Sequence, residues 1–404
     1  MMILVIGDKR YIGRHFKTIE NHFGDDLKYM PEYVPNQLVA SSPDLVIVPD
    51  EHWCELGNIV SYCNENGILT LQMMDGILEW RRTWDYTREG KIIGEGANPL
   101  NQPAFADKIA CLGFKDFRIL ESWGNIGKCE ITGMPRLKHI MNLRNDFSHL
   151  SQKKNRLLVC TAKTPAFTDK QAEKTIRSLT DLKEYFSKRN DIEIIWRITG
   201  DYSKLIGVEN SLNDLTGKEI HEIIQQVDAV ITTPSTTILE AMTLKVPVAT
   251  LDYHNQPHYF ETAWSISAQT HIEETVDELM NPPVTKLEYQ DFLYKEQLYS
   301  IDDPNSRLIR LIEEMIKFKG KKQELPQSIL DNSYLGTLAL KSDMKVYYPG
   351  LDWVDKMDLK KLKLELSAAR GTIKEVENKN DKLQKRLNSI PFYNFVKSVK
   401  NRFK

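Results

Sequence analysis

The strongest constraint on the fold of this 404-residue chain is an alternation of short buried strands with helical stretches, and the alternation occurs twice in succession. Ile3 to Ile6, Leu45 to Val48 and Ile68 to Met73 are apolar runs of strand length, the second entered through Ser41, Ser42 and Pro43 and the third through Asn66-Gly67. Leu56, Ile59, Val60 and Cys63 recur between the last two at helical spacing. Lys108 to Leu112 and Cys129 to Thr132 add two strands, with a helix around Phe117 to Trp123 between them. Strands separated by helices need right-handed crossovers and so build a mostly parallel sheet.

The second series follows Gly133-Met134-Pro135-Arg136 and the polar stretch Ser148 to Asn155, which read as an exit and a linker. Its strands are expected at Leu157 to Cys160, Ile192 to Ile198, Ala229 to Thr232 and Val246 to Leu251, and its helices at Lys170 to Arg189, Lys218 to Gln226 and Thr237 to Leu244. A single hydrophobic core stops growing at about 250–300 residues. The chain is therefore expected to be an α/β protein with two Rossmann-like domains, 1–150 and 151–285. Residues 286–319 read as a helical segment crossing back toward the first domain, and 320–355 as an irregular connector.

Composition narrows the function classes. No run approaches the roughly 18 apolar residues needed to span a bilayer, and the start, MMILVIGDKR, enters a strand rather than a signal peptide. Cys54, Cys63, Cys111, Cys129 and Cys160 form no CxxC pair, which fits buried free thiols in a reducing cytoplasm. The histidines do not cluster with them, so no metal site is expected. Gly7 and Gly13 do not complete GxGxxG, and neither GxxxxGK[ST] nor GxSxG occurs, so dehydrogenase, P-loop and hydrolase readings drop out.

The charge is unevenly placed. Residues 355–404 carry 14 Lys+Arg and 6 Asp+Glu, a net of +8 that leaves the rest of the chain at −10. A basic tail on an acidic body suits an anionic membrane surface better than a nucleic acid. Leu359, Leu362, Leu366, Ala369, Ile373, Val376, Asn380, Leu383, Leu387 and Ile390 alternate spacings of 3 and 4, the seam of a coiled coil over 356–390. With Leu359 at position a, Asn380 also falls at a, where a buried amide pairs across a parallel homodimer and fixes its register. The alternative is an amphipathic helix packed on its own body. After Pro391, residues 391–404 place Phe392, Phe395, Val396, Val399 and Phe403 on one helical face and Lys397, Lys400 and Lys404 mostly on the other, a basic amphipathic tail unless it is simply disordered.

Two turns carry candidate chemistry. In Asp228 to Val248 a buried strand ends in small hydroxyl residues, and a helix starts near Thr237 with Ser235 or Thr236 as its expected cap. Free N–H groups at such a helix start suit a diphosphate, with Ser235, Thr236 and Thr237 adding hydroxyls and Glu240 placed to accept from ribose. Any strand-to-helix turn can carry such a cap, so the turn alone does not decide. In Leu71 to Arg81, Asp75 precedes Gly76 at the carboxyl end of a strand, where parallel sheets line their ligand crevice. Glu79 is the second catalytic candidate, and Arg81 and Arg82 orient Asp75 or bind acceptor; a plain Asp-Gly turn is the alternative. Lys163, which reads equally well as a solvated surface lysine, and Arg197, in a strand where an unpaired cation is costly, are candidates to face the donor phosphates.

As a whole, Asp228 to Val248 resembles the nucleotide-binding segment of GT-B glycosyltransferases, matching at Glu240, Ala241, Pro247 and Val248 and departing at Lys245, where glycine is usual. Gln72 to Gly76 resembles the Gln-x-x-His-Gly turn of glycerophosphate-polymerising transferases such as the CDP-glycerol glycerophosphotransferases, with Asp75 in the place of the catalytic histidine. Thr132-Gly-Met-Pro-Arg136 resembles the Thr-Gly-x-Pro that closes the first lobe in this superfamily, UDP-N-acetylglucosamine 2-epimerases included. The resemblance covers roughly residues 1–318. It implies the GT-B fold, two Rossmann-like domains facing across a cleft, and transfer of a sugar from a nucleotide-diphosphate sugar to a glycan or lipid-linked acceptor in bacterial surface polysaccharide biosynthesis. No cofactor or metal beyond the donor is implied, and the setting is cytoplasmic, at the cytoplasmic face of the inner membrane. A sugar-nucleotide 2-epimerase and a non-catalytic nucleotide- or glycan-binding scaffold are the alternatives.

Overall fold

A computed structural model describes residues 1–30, 38, 41–49, 54–78, 101, 103–144, 153–208, 219–254, 259–330, 370, 373–374 and 376–386. The chain divides into two compact units, Met1–Leu351 and Asp352–Lys404. The first unit contains two parallel sheets. One comprises β1 (Ile3–Ile6), β2 (Leu27–Met30), β3 (Leu45–Val48), β4 (Leu69–Met73), β5 (Lys108–Cys111) and β6 (Cys129–Ile131), in the order β2-β1-β3-β4-β5-β6. The other comprises β7 (Arg156–Cys160), β8 (Glu193–Arg197), β9 (Ala229–Thr232), β10 (Val248–Leu251) and β11 (Trp264–Ile266), in the order β11-β10-β9-β7-β8.

Central strands covered on both faces read as near-continuous apolar runs and are all among the expected elements, as are the edge strands β6 and β8. The other two edge strands, β2 and β11, are not among the expected elements. Each exposes a residue, Lys28 in one and Ser265 in the other, so neither leaves a continuous apolar signal.

Helices close both faces of the first sheet. Helix α1 (Lys9–Phe23) starts at Asp8, whose carboxylate accepts from the Arg10 N–H at 2.8 Å, and it buries Phe16, Ile19 and Phe23. Helix α2 (Cys54–Glu65) covers the opposite face with Ile59, Val60 and Cys63. Helix α3 (Phe114–Ser122) follows β5, and the single turn Pro135–Leu137 leads into α4 (Lys138–Leu143). Under the second sheet lie α5 (Asp169–Phe186), capped by Thr168, and α9 (Ile272–Met280); the short helices α6 (Tyr202–Ile206), α7 (Ile220–Ile224) and α8 (Thr237–Thr243) stand between its strands.

Helices α10 (Val284–Gln297) and α11 (Pro304–Ile316) then carry the chain back to the first sheet. Leu308, Leu311, Ile312 and Met315 of α11 enter the core that holds Ile3, Ile47 and Leu71. The return depends on Gly113, because a Cβ there would lie 2.6 Å from the carbonyl carbon of Gln297. Beside it the Tyr299 N–H donates to the Leu112 carbonyl at 2.8 Å.

Where an irregular connector is expected, its described start is an anchored strap. The Lys108 ammonium donates to the carbonyls of Gly127 and Gln327, each at 2.9 Å, and to Glu130 at 2.8 Å, and the Glu130 carboxylate accepts from the N–H groups of Ile329 and Leu330. Both side chains of this ion pair are buried, so all three ammonium protons find protein acceptors as burial requires. In the second unit, residues 376–386 are helical, and the seam residues Ile373, Val376 and Leu383 are each more than half exposed. Leu359, Leu362, Leu366, Ala369, Leu387, Ile390 and the tail 391–404 lie outside the described residues. Among the described residues no helix is long and apolar enough to cross a membrane.

Candidate functional site

Each sheet places its first strand beside its third, so the crossover direction reverses between β1 and β3 and again between β7 and β9. Open parallel sheets bind ligands outside the carboxyl ends of their strands at such reversals. In the second sheet the reversal is tied together by the Thr233 hydroxyl, which accepts from the Ala162 N–H at 2.8 Å. The turn after it holds Ser235, Thr236 and Thr237, all half-buried. Ser235 bonds the Thr232 hydroxyl at 3.1 Å.

Thr236 is the N-cap position of α8, as expected, but its hydroxyl makes no capping hydrogen bond. The reason is local: Thr236 already has helical angles, φ −62° and ψ −16°, whereas a capping hydroxyl needs an extended backbone. The Thr236 hydroxyl meets the first sheet's side instead. A Cβ on Gly76 would lie 3.0 Å from Thr236 Oγ1, so the Asp75-Gly76 turn and the Ser235 to Thr237 turn face each other directly.

Beside this contact a second bridge joins the two halves. Arg136, just after the Thr132-Gly-Met-Pro stretch, places Nη1 3.2 Å from Glu240 Oε1, with both side chains largely buried. Burial holds the Glu240 carboxyl above the usual range, and Arg136 opposes that rise. The Arg136 Nε is buried without a hydrogen-bond partner among the described residues. His15 of α1 belongs to the same cluster; burial first, then Arg136 and Arg14, push it down to about 3, so it is a neutral imidazole. His139 of α4 and His221 of α7 meet edge to face at 4.8 Å, and burial and His139 lower His221. Arg144, which follows α4, donates to the carbonyls of Met242 at 2.7 Å and Thr243 at 3.1 Å, satisfying the end of α8 and complementing its dipole.

The other predicted residues are distributed around this core. Asp75 is half-buried two residues past β4. Gln72, fully buried, donates to Asn101 Oδ1 at 2.7 Å, while its Oε1 has no partner among the described residues. Arg197 ends β8 beside Cys160 and has its Nη1 buried and unpartnered among the described residues. Lys163 is exposed beyond the end of β7. Glu79, Arg81 and Arg82 lie outside the described residues. Sequence reasoning placed Glu240 with ribose and did not foresee its bond to Arg136, nor the gathering of Arg14, His15, His139 and His221. The one available signal was the position of Arg136 at the end of Thr-Gly-Met-Pro-Arg.

No protein-family profile and no curated protein matches the sequence. Solved structures do match in fold. A wall teichoic acid polymerase, TagF, soaked with CDPG superposes with a TM-score of 0.52 at 14% identity, over 80% of this chain and 90% of that one. MnaA of S. aureus with UDP gives 0.54 at 12%, over 80% and 98%. A putative UDP-N-acetylglucosamine 2-epimerase of Listeria monocytogenes gives 0.52 at 12%, over 78% and 96%. The chain has the GT-B fold, with two Rossmann-like sheets presenting their carboxyl edges to one cleft.

Proposed function

We propose that the protein is a glycosyltransferase that moves a sugar from a nucleotide-diphosphate sugar to a glycan or lipid-linked acceptor of a bacterial surface polysaccharide. The reading rests chiefly on one observation: the Gly76 turn of the first sheet and the Thr236 turn of the second, each chosen from sequence for different chemistry, lie in contact. The neighbouring folds agree with it, since TagF was soaked with CDPG and MnaA was solved with UDP. In this reading the diphosphate lies against Ser235, Thr236 and Thr237, with Lys163 and the Arg197 nitrogen that lacks a partner among the described residues as cations. Glu240, held by Arg136, retains acceptor capacity for ribose hydroxyls. Asp75 takes the proton of the attacking acceptor hydroxyl, while the hydroxyls and cations around the diphosphate stabilise the leaving group without a metal. The enzyme works in the cytoplasm as a parallel dimer through 356–390, with 391–404 on the anionic inner face of the membrane.

The test is kinetic. Asp75→Asn is expected to leave donor affinity within a few fold and to cut turnover by about 10² or more. A variant that keeps most of its turnover removes Asp75 as the base. A 2-epimerase is the second reading, and the linking of His15 and Glu240 through Arg136, with the His139–His221 pair on the nearby helices α4 and α7, favours it beyond what the sequence suggested. Conversion of UDP-N-acetylglucosamine to its 2-epimer without any acceptor decides for that reading.

A further inference from the structure

The carboxyl edge of the second sheet carries one arrangement that the donor reading does not use. Asp252 and His254 follow β10, and the Asp252 N–H donates to the Ile266 carbonyl at 3.0 Å, fixing the segment against β11. Asp252 Oδ1 accepts from the His254 backbone N–H at 3.0 Å and lies 2.5 Å from the ring nitrogen Nδ1. The two side chains are 5% and 4% exposed. The other ring nitrogen, Nε2, is buried with no hydrogen-bond partner among the described residues.

The position matters. β10 pairs in parallel with β9, Thr250 opposite Thr232, so Asp252 stands level with the start of the turn that holds Ser235 and Thr236. Neighbouring strands lie about 4.8 Å apart. His254 therefore sits on the same edge as the expected diphosphate site, one strand along.

The chemistry follows from the carboxylate. In the neutral ring, a carboxylate partner at Nδ1 takes the ring hydrogen there and leaves Nε2 as a lone-pair acceptor. A buried acceptor without a partner is unfavourable, and its complement is an O–H group. On a sugar nucleotide the hydroxyl-bearing part next to the diphosphate is the sugar. We propose that His254 Nε2 accepts a hydrogen bond from a hydroxyl of the transferred group, with Asp252 as the positioning residue that fixes the tautomer. The inference rests on the sugar-nucleotide reading above and adds a residue that recognises the sugar rather than the nucleotide.

Titration calorimetry of the full chain with UDP, UDP-N-acetylglucosamine, CDP and CDP-glycerol tests it. His254→Asn keeps a donor toward Asp252 and removes Nε2; it is expected to weaken the complete donor tenfold or more while leaving the bare nucleotide within about twofold. His254→Gln, whose amide reaches the Nε2 position, is expected to recover part of the loss. In the unaltered protein labelled with ¹⁵N-histidine, the His254 Nε2 resonance, identified by its absence in His254→Asn, is expected to move with the complete donor and not with the nucleotide alone. Equal loss for nucleotide and complete donor, or a silent resonance in a protein that binds the donor, overturns the role of His254 and leaves the sugar-nucleotide reading standing. Binding of none of the four ligands by the unaltered protein overturns both.

Discussion

Replacing Arg136 with methionine keeps most of the side chain's bulk and removes the cation that faces Glu240. The Glu240 side chain is 6% exposed and Arg136 15%, so Glu240 would be left as a buried carboxylate with its bridge gone. Breaking a buried pair from one side costs about 3–5 kcal/mol; partial solvent access at Arg136 places the expectation near the lower figure. Glu240→Gln, a neutral isostere, should cost about 1–2 kcal/mol, and the double variant should recover about 1–2 kcal/mol relative to the sum. The pH dependence fixes the sign. An acid whose folded pKa is raised contributes its stability below the unfolded value, about 4.3, and loses it as pH climbs through the folded one. Arg136 opposes the rise of Glu240, so removing it costs more at pH 8 than at pH 5.5. His15 acts in the same direction. Its pKa is pushed down to about 3, so stability is lost as pH falls from about 6.5 toward that value, and without Arg136 the depression and the acid loss are both smaller. Urea denaturation followed by tryptophan fluorescence at the two pH values measures the gap. A gap that stays flat or widens on acidification, or additivity within about 0.5 kcal/mol, would refute the bridge as described.

Lys245 sits at φ +59° where α8 ends, with its N–H on the Met242 carbonyl at 3.1 Å and that of Val246 on Ala241 at 3.0 Å. Lys245→Gly should raise stability by about 0.5–1 kcal/mol, read by denaturant midpoint, because glycine adopts that geometry without a Cβ clash. Lys108→Met leaves Glu130 buried without its cation and should cost about 3–5 kcal/mol; limited proteolysis should then cut within residues 320–330, and an intact strap would count against the anchoring. Deleting residues 356–404 should turn a dimer into a monomer by light scattering with nucleotide affinity unchanged, and a monomeric full-length chain at micromolar concentration would reject the coil as a dimeriser.

Legibility in the sequence followed the range of the physics. β1, β3, β4, β7 and β9 announced themselves because strands buried on both faces read as near-continuous apolar runs. The Ser235 to Thr237 turn was legible for a related reason: a strand, a run of small hydroxyls and a helix start are all local. The chain also marked one geometry by departing from a pattern. Lys245 stands where the segment it resembles usually carries glycine, and the structure gives that position the left-handed backbone for which glycine is preferred.

What could not be read is whatever depends on two distant segments meeting. Arg136 and Glu240 are 104 residues apart, and neither the spacing nor the residue types around either one specify the partner. Gly76 is a stronger instance, since as an isolated Asp-Gly turn it had a plain structural explanation. Only its approach to Thr236 shows that the absent side chain matters, because any Cβ would press on a hydroxyl of the opposite half. The consequence for function is specific. The residues chosen from the sequence belong to turns that local chemistry can shape, whereas those that join the halves, Arg136 and Glu240 above all, act only once the cleft exists. Substitutions at the first group should change what is bound or how fast it reacts, while substitutions at the second should couple ligand affinity to stability and pH. The Arg136→Met series therefore tests the assembly of the cleft, and Asp75→Asn tests its chemistry, with different expected signatures for each.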